Sequence, residues 1–342
     1  ADLLISSGIL VAACGFICAV YFSRHRKTRV ITETRTVILL ASFFLTFLAL
    51  ARFLVIGRTV MPWLYPLAAF GLTVAIVLSV ETGMLMSLIL TILTVFGHPR
   101  DMELALFYIL PTLAGIFVIG RARRVSSFLG AGAVVSLVGV AMVLIFRVGD
   151  SFTDWLGIVS LTASAVFNGL ASGTLSILFE YIFSSVLDIP TALQLMDISR
   201  PDHPLLQQVL QTMPGSYQHS LQVSNLAEQA AEAIGADRLL VRVGALYHDV
   251  GKSENPGFFV ENQLRGSVDS HDDISPEVAA ATIIKHVADG VALAKRYRLP
   301  SRVADFIREH HGTMMTRYQY GKALAAAENP DDVDPTLFRY PG

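Results

Sequence analysis

The chain is 342 residues long and 53% hydrophobic, with 26 basic and 28 acidic side chains and a formal net charge of −2. So apolar a composition excludes an ordinary soluble globular protein, and the length exceeds a single ordinary core. The near balance of charge excludes a broad basic surface, so neither DNA nor RNA is expected as a partner.

Two parts are evident. Apolar runs dominate residues 1–190, whereas residues 191–342 hold 14 Lys/Arg and 19 Asp/Glu. Seven apolar segments fit the first part: 3–22, 37–56, 62–78, 83–96, 104–119, 126–146 and 155–175. Most are near the roughly 20 residues that cross a bilayer core, so the lipid bilayer is the first partner implied. The fourth is short, and only Glu81-Thr82-Gly83 separates it from the third, as in a tight hairpin or a re-entrant pair. Cys14 and Cys18, four apart in an apolar run, read as packing residues rather than a disulfide.

Basic residues near segment ends are retained on the cytoplasmic side. Arg24, Arg26, Lys27, Arg29 and Arg35 fill the first loop, and Arg121, Arg123 and Arg124 fill the fifth. Both loops are odd-numbered, so one topology satisfies both, with the N-terminus outside and the C-terminal half in the cytoplasm. Arg52 is expected to snorkel from the outer end of the second segment. Glu180 is expected where the last segment leaves the membrane. So few ionisable residues at mid-depth give little support to a pump or transporter.

The second part reads as nearly all helix. Helices are expected at 204–213 and 216–234, and from an Asp237 cap to His248. A long helix starts at Ser275-Pro276-Glu277, runs through His286 and ends before Pro300. Ser301 caps a helix that delivers His310 and His311, and 318–328 adds a last one. Residues 255–274, rich in Pro, Gly, Asn, Ser and Asp, read as a long loop of the kind that contacts substrates. No stretch alternates as a strand does.

Five of the nine histidines fall in one order: His219, then the adjacent pair His248-Asp249, then His286, then the pair His310-His311. Imidazole and carboxylate both suit a divalent first-row metal, and an adjacent His-Asp pair can serve one ion or bridge two. Alone, such a pair is what a polar helix end looks like; the recurrence of histidine is what points to a metal site. His271-Asp272-Asp273 reads instead as the approach to the Ser275 cap.

Tyr217-Gln218-His219-Ser220, Tyr247-His248-Asp249-Val250-Gly251-Lys252, Ile284-Lys285-His286 and Glu309-His310-His311-Gly312-Thr313 together resemble the HD-domain hydrolases. The apolar half narrows the resemblance to the seven-transmembrane HD proteins, bacterial membrane phosphodiesterases that cleave cyclic di-AMP to linear pApA. Phe259-Val260-Glu261-Asn262-Gln263 and His271-Asp272-Asp273-Ile274-Ser275-Pro276 resemble that family's loop. The resemblance implies an all-α chain, with a polytopic seven-helix membrane domain at 1–190 and a cytoplasmic all-helical HD phosphohydrolase domain at 191–342. It further implies two divalent ions, iron or manganese. Carried over residue by residue, His219, His248 and Asp249 hold one ion, while Asp249 bridges to a second held by His286, His310 and His311. His248, Asp249 and Lys252 carry the catalytic roles, Lys252 meeting a phosphate oxygen or a carboxylate behind the ligands.

HD proteins also include dNTP triphosphohydrolases, (p)ppGpp hydrolases and cyclic di-GMP enzymes with a Gly-Tyr-Pro signature. This chain has no Gly-Tyr-Pro, and no Glu follows its His pair as in that last group. The alternative reading is a membrane receptor whose HD domain hydrolyses or binds another nucleotide, cyclic di-GMP or (p)ppGpp. The family's pattern closes with an Asp on a later helix, and an extracellular domain precedes most of its membrane segments. Asp331, Asp332 and Asp334 lie in a Pro-bounded loop and are not assigned that role, so both ends are expected to be truncated. The sequence leaves homodimerisation open.

Overall fold

The computed structural model describes residues 2–24, 33–98, 101–120, 124–148, 154–263 and 274–342. Regular structure there is helical throughout, save one isolated antiparallel bridge between Met315 and Arg339. The chain separates into two compact units, Ala1–Leu187 and Asp188–Gly342.

The first unit contains α1 (Asp2–Arg24), α2 (Thr34–Val55), α3 (Met61–Leu64), α4 (Leu67–Val77), α5 (Val80–Val95), α6 (Asp101–Ile119), α7 (Val125–Arg147) and α8 (Trp155–Leu187). Among the described residues, five helices (α1, α2, α6, α7 and α8) are long and apolar enough to cross a membrane, and Met61–Val77 and Val80–Val95 are shorter apolar stretches. The third segment is not one rod. Pro66 lacks an amide proton and forces Tyr65 into an extended conformation (φ −68°, ψ 113°), which parts α3 from α4. The next break falls at Leu78-Ser79 rather than at Glu81-Thr82-Gly83. Ser79 is extended and its hydroxyl accepts the Thr82 amide at 3.1 Å. Glu81 then lies in the first turn of α5, where a carboxylate meets the positive end of the helix dipole.

The α3–α4 break exposes carbonyls that lipid cannot hydrogen-bond. The Asn168 amide of α8 donates to both, at 3.1 Å to Trp63 O and 2.7 Å to Tyr65 O, and Tyr108 donates to Pro62 O at 2.5 Å. Helices α7 and α8 meet through small residues: a Cβ on Gly132 would lie 2.7 Å from Gly169 O and 3.2 Å from the Gly173 Cα. Helix α8 also runs past the expected end of the last segment. Glu180 is 2% exposed inside the unit, on a buried face with Ser164, Asn168, Ser172, Ser176 and Ser184. Four-residue spacing puts these groups on one face, which packs against protein. Arg52 donates to Phe96 O at 2.9 Å, satisfying a carbonyl at the end of α5. Cys14 and Cys18 are free thiols. Of the basic loop residues, Arg26, Lys27, Arg29, Arg121 and Arg123 lie outside the described residues.

The second unit contains α9 (Ala192–Ile198), α10 (Pro204–Thr212), α11 (Pro214–Ala233), α12 (Arg238–Tyr247), α13 (Pro276–Arg296), α14 (Ser301–Glu309) and α15 (Arg317–Ala326). A 3-10 turn, Val250–Glu254, precedes the expected loop, and two more, Pro256–Phe258 and Val260–Asn262, occupy its first part. Asp237 caps α12 by accepting the Leu239 and Leu240 amides, and Ser275 caps α13 through the Val278 amide. The Ser301 cap is different from expectation: Pro300 is the N-cap and has no side chain to offer, so the carboxylate of Asp188 receives the Ser301 amide at 3.1 Å and the Ser301 hydroxyl. Leu195, Leu205, Leu206, Val243, Leu246, Val303 and Ile307 pack into the main core. Tyr247 is fully buried there and spends its hydroxyl on Ile198 O at 2.6 Å.

Asn168→Ala would strip the Trp63 carbonyl of its donor and leave the Tyr65 carbonyl with the Leu67 amide alone. We expect a loss of about 1–2 kcal/mol, at the level of two hydrogen bonds within a membrane protein. Thermal unfolding in detergent reads it out, and an unchanged melting temperature would show that other groups satisfy the break.

Candidate metal centre

Asp249 is the residue on which the site converges. It follows the end of α12, is 3% exposed, and directs its two carboxylate oxygens at different neighbours. Oδ2 lies 3.1 Å from His248 Nε2 and 2.9 Å from Lys252 Nζ. Oδ1 lies 3.5 Å from His286 Nε2 and 3.6 Å from His310 Nε2. Two donor sets therefore share this one side chain. Asp249, His286, His310 and His311 form one, His219, His248 and Asp249 the other, and within each set the ligand atoms lie within 4.8 Å of one another. All six residues singled out as ligands in the sequence are thus brought together; His219 is the exposed one. His271, Asp272 and Asp273 lie outside the described residues.

The ring orientations fit metal binding. Nδ1 of His248 is 2.7 Å from Ala245 O, Nδ1 of His286 is 2.5 Å from Ile283 O, and Nδ1 of His310 is 2.9 Å from Ile307 O. A carbonyl only accepts, so Nδ1 carries the proton in each. With Nδ1 committed to a carbonyl, Nε2 is the nitrogen that faces Asp249 and the one left to bind a cation once it gives up any proton it shares with the carboxylate. This donor set of imidazoles plus a shared carboxylate is what a divalent first-row cation requires.

Charge follows from the same contacts. Burial alone would raise the Asp249 carboxyl, but hydrogen bonds from His248 and His310 and the charge of Lys252 outweigh it and hold the group well below the usual carboxylate range. Burial pushes His311 down to about 4, with His310 and His286 adding to the effect, and it lowers His286 as well. Both rings are neutral at pH 7, the form that donates a lone pair. For His248 burial is outweighed by Asp249, which raises it, so cation binding there is coupled to proton release.

Lys252 had two possible partners in the sequence, a phosphate or a carboxylate. The structure gives it carboxylates: Asp249, and Glu261 Oε1 at 2.7 Å. Glu261 also accepts from the Ser216 hydroxyl at 3.2 Å, and Asn262 accepts the Ser216 amide at 3.1 Å. These bonds tie the turn 260–262 to the start of α11. Glu261 was missed as a Lys252 partner because only the fold brings positions 216, 252 and 261 together. A cavity of about 250 Å³ opens here, lined by Lys252, Phe259, Glu261, His286, His311 and Tyr340 among others. A larger cleft of about 880 Å³ between α1, α2 and α5 has neither carboxylate nor imidazole in its lining, so the chemistry belongs to the smaller one.

Gly251 explains how α13 reaches Asp249. A Cβ there would overlap the His286 carbonyl oxygen and the Gly290 amide, so only glycine lets the two backbones touch. Gly312, at φ 50°, turns the chain away directly after the His pair.

An all-helical unit with two metal-donor sets sharing one aspartate, preceded by a bundle of apolar helices, defines a membrane-attached HD-type metallohydrolase fold. The family model described as "7TM receptor with intracellular HD hydrolase" matches residues 3–191, and the HD domain model matches residues 216–335. The chain belongs to that 7TM–HD family. HD-domain hydrolases are metal-dependent, in keeping with the donor sets. The chain is 30% identical to "Cyclic-di-AMP phosphodiesterase PgpH" of Bacillus subtilis, over 98% of its own length and 48% of the relative's. It is also 30% identical to the protein of that name from Listeria monocytogenes, over 98% of its own length and 47% of the relative's. The chain thus spans about half the length of these relatives. The crystal structure of the L. monocytogenes PgpH HD domain in complex with cyclic di-AMP is 44% identical over 42% of this chain and 65% of that one, with a TM-score of 0.39.

Gly251→Ala should force α13 away from Asp249 and weaken manganese binding about tenfold or more, as loss of ligand placement does elsewhere. Gly257→Ala, whose Cβ would meet nothing within 4 Å, is the matched control. Calorimetric titration with manganese compares them, and equal affinities would remove the close approach as the reason for that glycine.

Proposed function

We propose that this chain is a membrane-bound metal-dependent phosphodiesterase that hydrolyses cyclic di-AMP to pApA in the cytoplasm. The observation that carries the reading is the Asp249 carboxylate shared by two donor sets, which suits a pair of cations, iron or manganese, acting on one phosphodiester. The names of the relatives, which cover 98% of this chain, support the substrate. A bound cation pair supplies Lewis acidity to the phosphodiester and an activated water for its hydrolysis.

The chain's own residues do the rest. Asp249, kept ionised by His248, His310 and Lys252, is a permanent anionic ligand, while neutral His286 and His311 complete one set. Lys252 stays cationic: burial would lower it, but Asp249 and Glu261 raise it above the ordinary lysine value. Glu261 restrains the ammonium at the wall of the cavity, where a phosphate oxygen can exchange for one carboxylate. Phe259, whose ring lies 5.9 Å from that of His286, gives the cavity an apolar wall against which a nucleobase can pack. The basic first and fifth loops support an orientation with this unit in the cytoplasm, where a bacterial second messenger is found.

Purified full-length protein with manganese, offered cyclic di-AMP and cyclic di-GMP side by side, should convert the first to pApA. Turnover of cyclic di-GMP alone would overturn the substrate and favour the rival nucleotide. Asp249→Ala should remove metal from both sets and abolish turnover, whereas His271→Ala should leave metal content near wild type; equal metal loss would move the loop histidine into the site. A reporter fused after residue 330 should be active only in the cytoplasm, and activity only outside the cell would reverse the topology.

A further inference from the structure

Three of the histidines are held by the carbonyl three residues before them, as given above. His311 has no such bond among the described residues. It has a ring instead: Tyr340 lies nearly parallel to it, with centroids 4.1 Å apart and planes at 22°. The His310 ring packs against it as well, with centroids 4.0 Å apart and planes at 42°. An imidazole rotates broadly about χ2 unless something fixes it, and here two rings pack against it.

Tyr340 is itself fixed by backbone. Its amide donates to Met314 O at 2.9 Å, the Thr316 amide donates to Phe338 O at 2.8 Å, and Met315 and Arg339 form the one bridge described. Phe338 is fully buried and packs with Ala280 of α13 and Ala323 of α15. The segment 338–340 is therefore strapped to the residues that directly follow His310-His311. Tyr340 is 7% exposed and lines the cavity beside the histidines. No hydrogen bond of its hydroxyl enters this arrangement; the contact with His311 is face to face.

We propose that Tyr340 is the positioning residue of His311, its ring doing for this imidazole what a backbone carbonyl does for His248, His286 and His310. The proposal rests on the metal-centre reading above. It assigns the ring face, not the phenol, as the working part, and it places residues 338–340 in the metal site's support.

Manganese binding by the full-length protein, followed by calorimetry beside a circular dichroism melt, tests it. Tyr340→Leu keeps apolar bulk but loses the ring, and should weaken manganese binding on the order of 10–100-fold, the usual consequence of losing a ligand's support. Tyr340→Phe should bind as the wild type does. In a His311→Ala background Tyr340→Leu should cost nothing further, because no imidazole remains to be held. Should the leucine variant melt early, the double variant decides, since general loosening would add to the loss and ligand positioning would not. Wild-type affinity in Tyr340→Leu, an equal loss in Tyr340→Phe, or additive losses in the double variant would each overturn the assignment while leaving the metal centre standing. A wild-type protein that binds no divalent metal would overturn both.

Discussion

A carboxylate that is 3% exposed is stable only if cations or donors surround it, and Asp249 is the point to which the second unit brings them. Helix α12 ends in a core-buried Tyr247, and this anchors the two residues that follow. Gly251 then permits backbone contact with α13, which places His286 on Oδ1 while Lys252 turns back to Oδ2. Helix α14 ends with His310 on the same oxygen. Each element is fixed by its own core contacts, but their relative placement answers to one buried charge. Removing that charge would leave the imidazole cluster without its anion and Lys252 with Glu261 alone.

The first unit obeys a different constraint, the need of every backbone group to find a partner inside the protein. Pro66 breaks a helix that would otherwise have satisfied its own carbonyls, and the freed ones are met by Asn168 and Tyr108. This accounts for an asparagine at 4% exposure on a helix that is otherwise apolar towards lipid. The polar face of α8 and the glycine contact with α7 belong to one design, since small residues bring backbones close and polar ones hydrogen-bond across the gap.

The donor residues were legible in the sequence because metal ligands are chemically distinctive and recur on successive helices, so His219, His248-Asp249, His286 and His310-His311 stand out without coordinates. The helices that carry them were legible through Asp237, Ser275 and Pro276. What stayed hidden depends on contacts between distant positions. Glu261 is an ordinary loop carboxylate until Ser216 and Lys252 meet it, and Tyr340 is one tyrosine among ten until the tail folds back on His311. The use of Gly251, which is to admit the His286 carbonyl, is likewise a contact between distant positions. The α4–α5 break was misplaced because Glu81-Thr82-Gly83 resembles a connector in composition. Ser79, three residues before Thr82, is the cap that a capping pattern would have found.

The balance of donors also bears on what such a centre binds. Across the two sets there are five imidazoles, neutral when they act as ligands, and a single carboxylate. Lys252 adds a positive charge that Glu261 offsets. Cations held by so few anions keep most of their charge, and in a largely buried pocket that charge is screened far less than at the surface. A carboxylate-rich centre would neutralise its ions more fully than a donor set with one carboxylate does. The same excess of imidazole over carboxylate is what makes the donor sets stand out in the sequence.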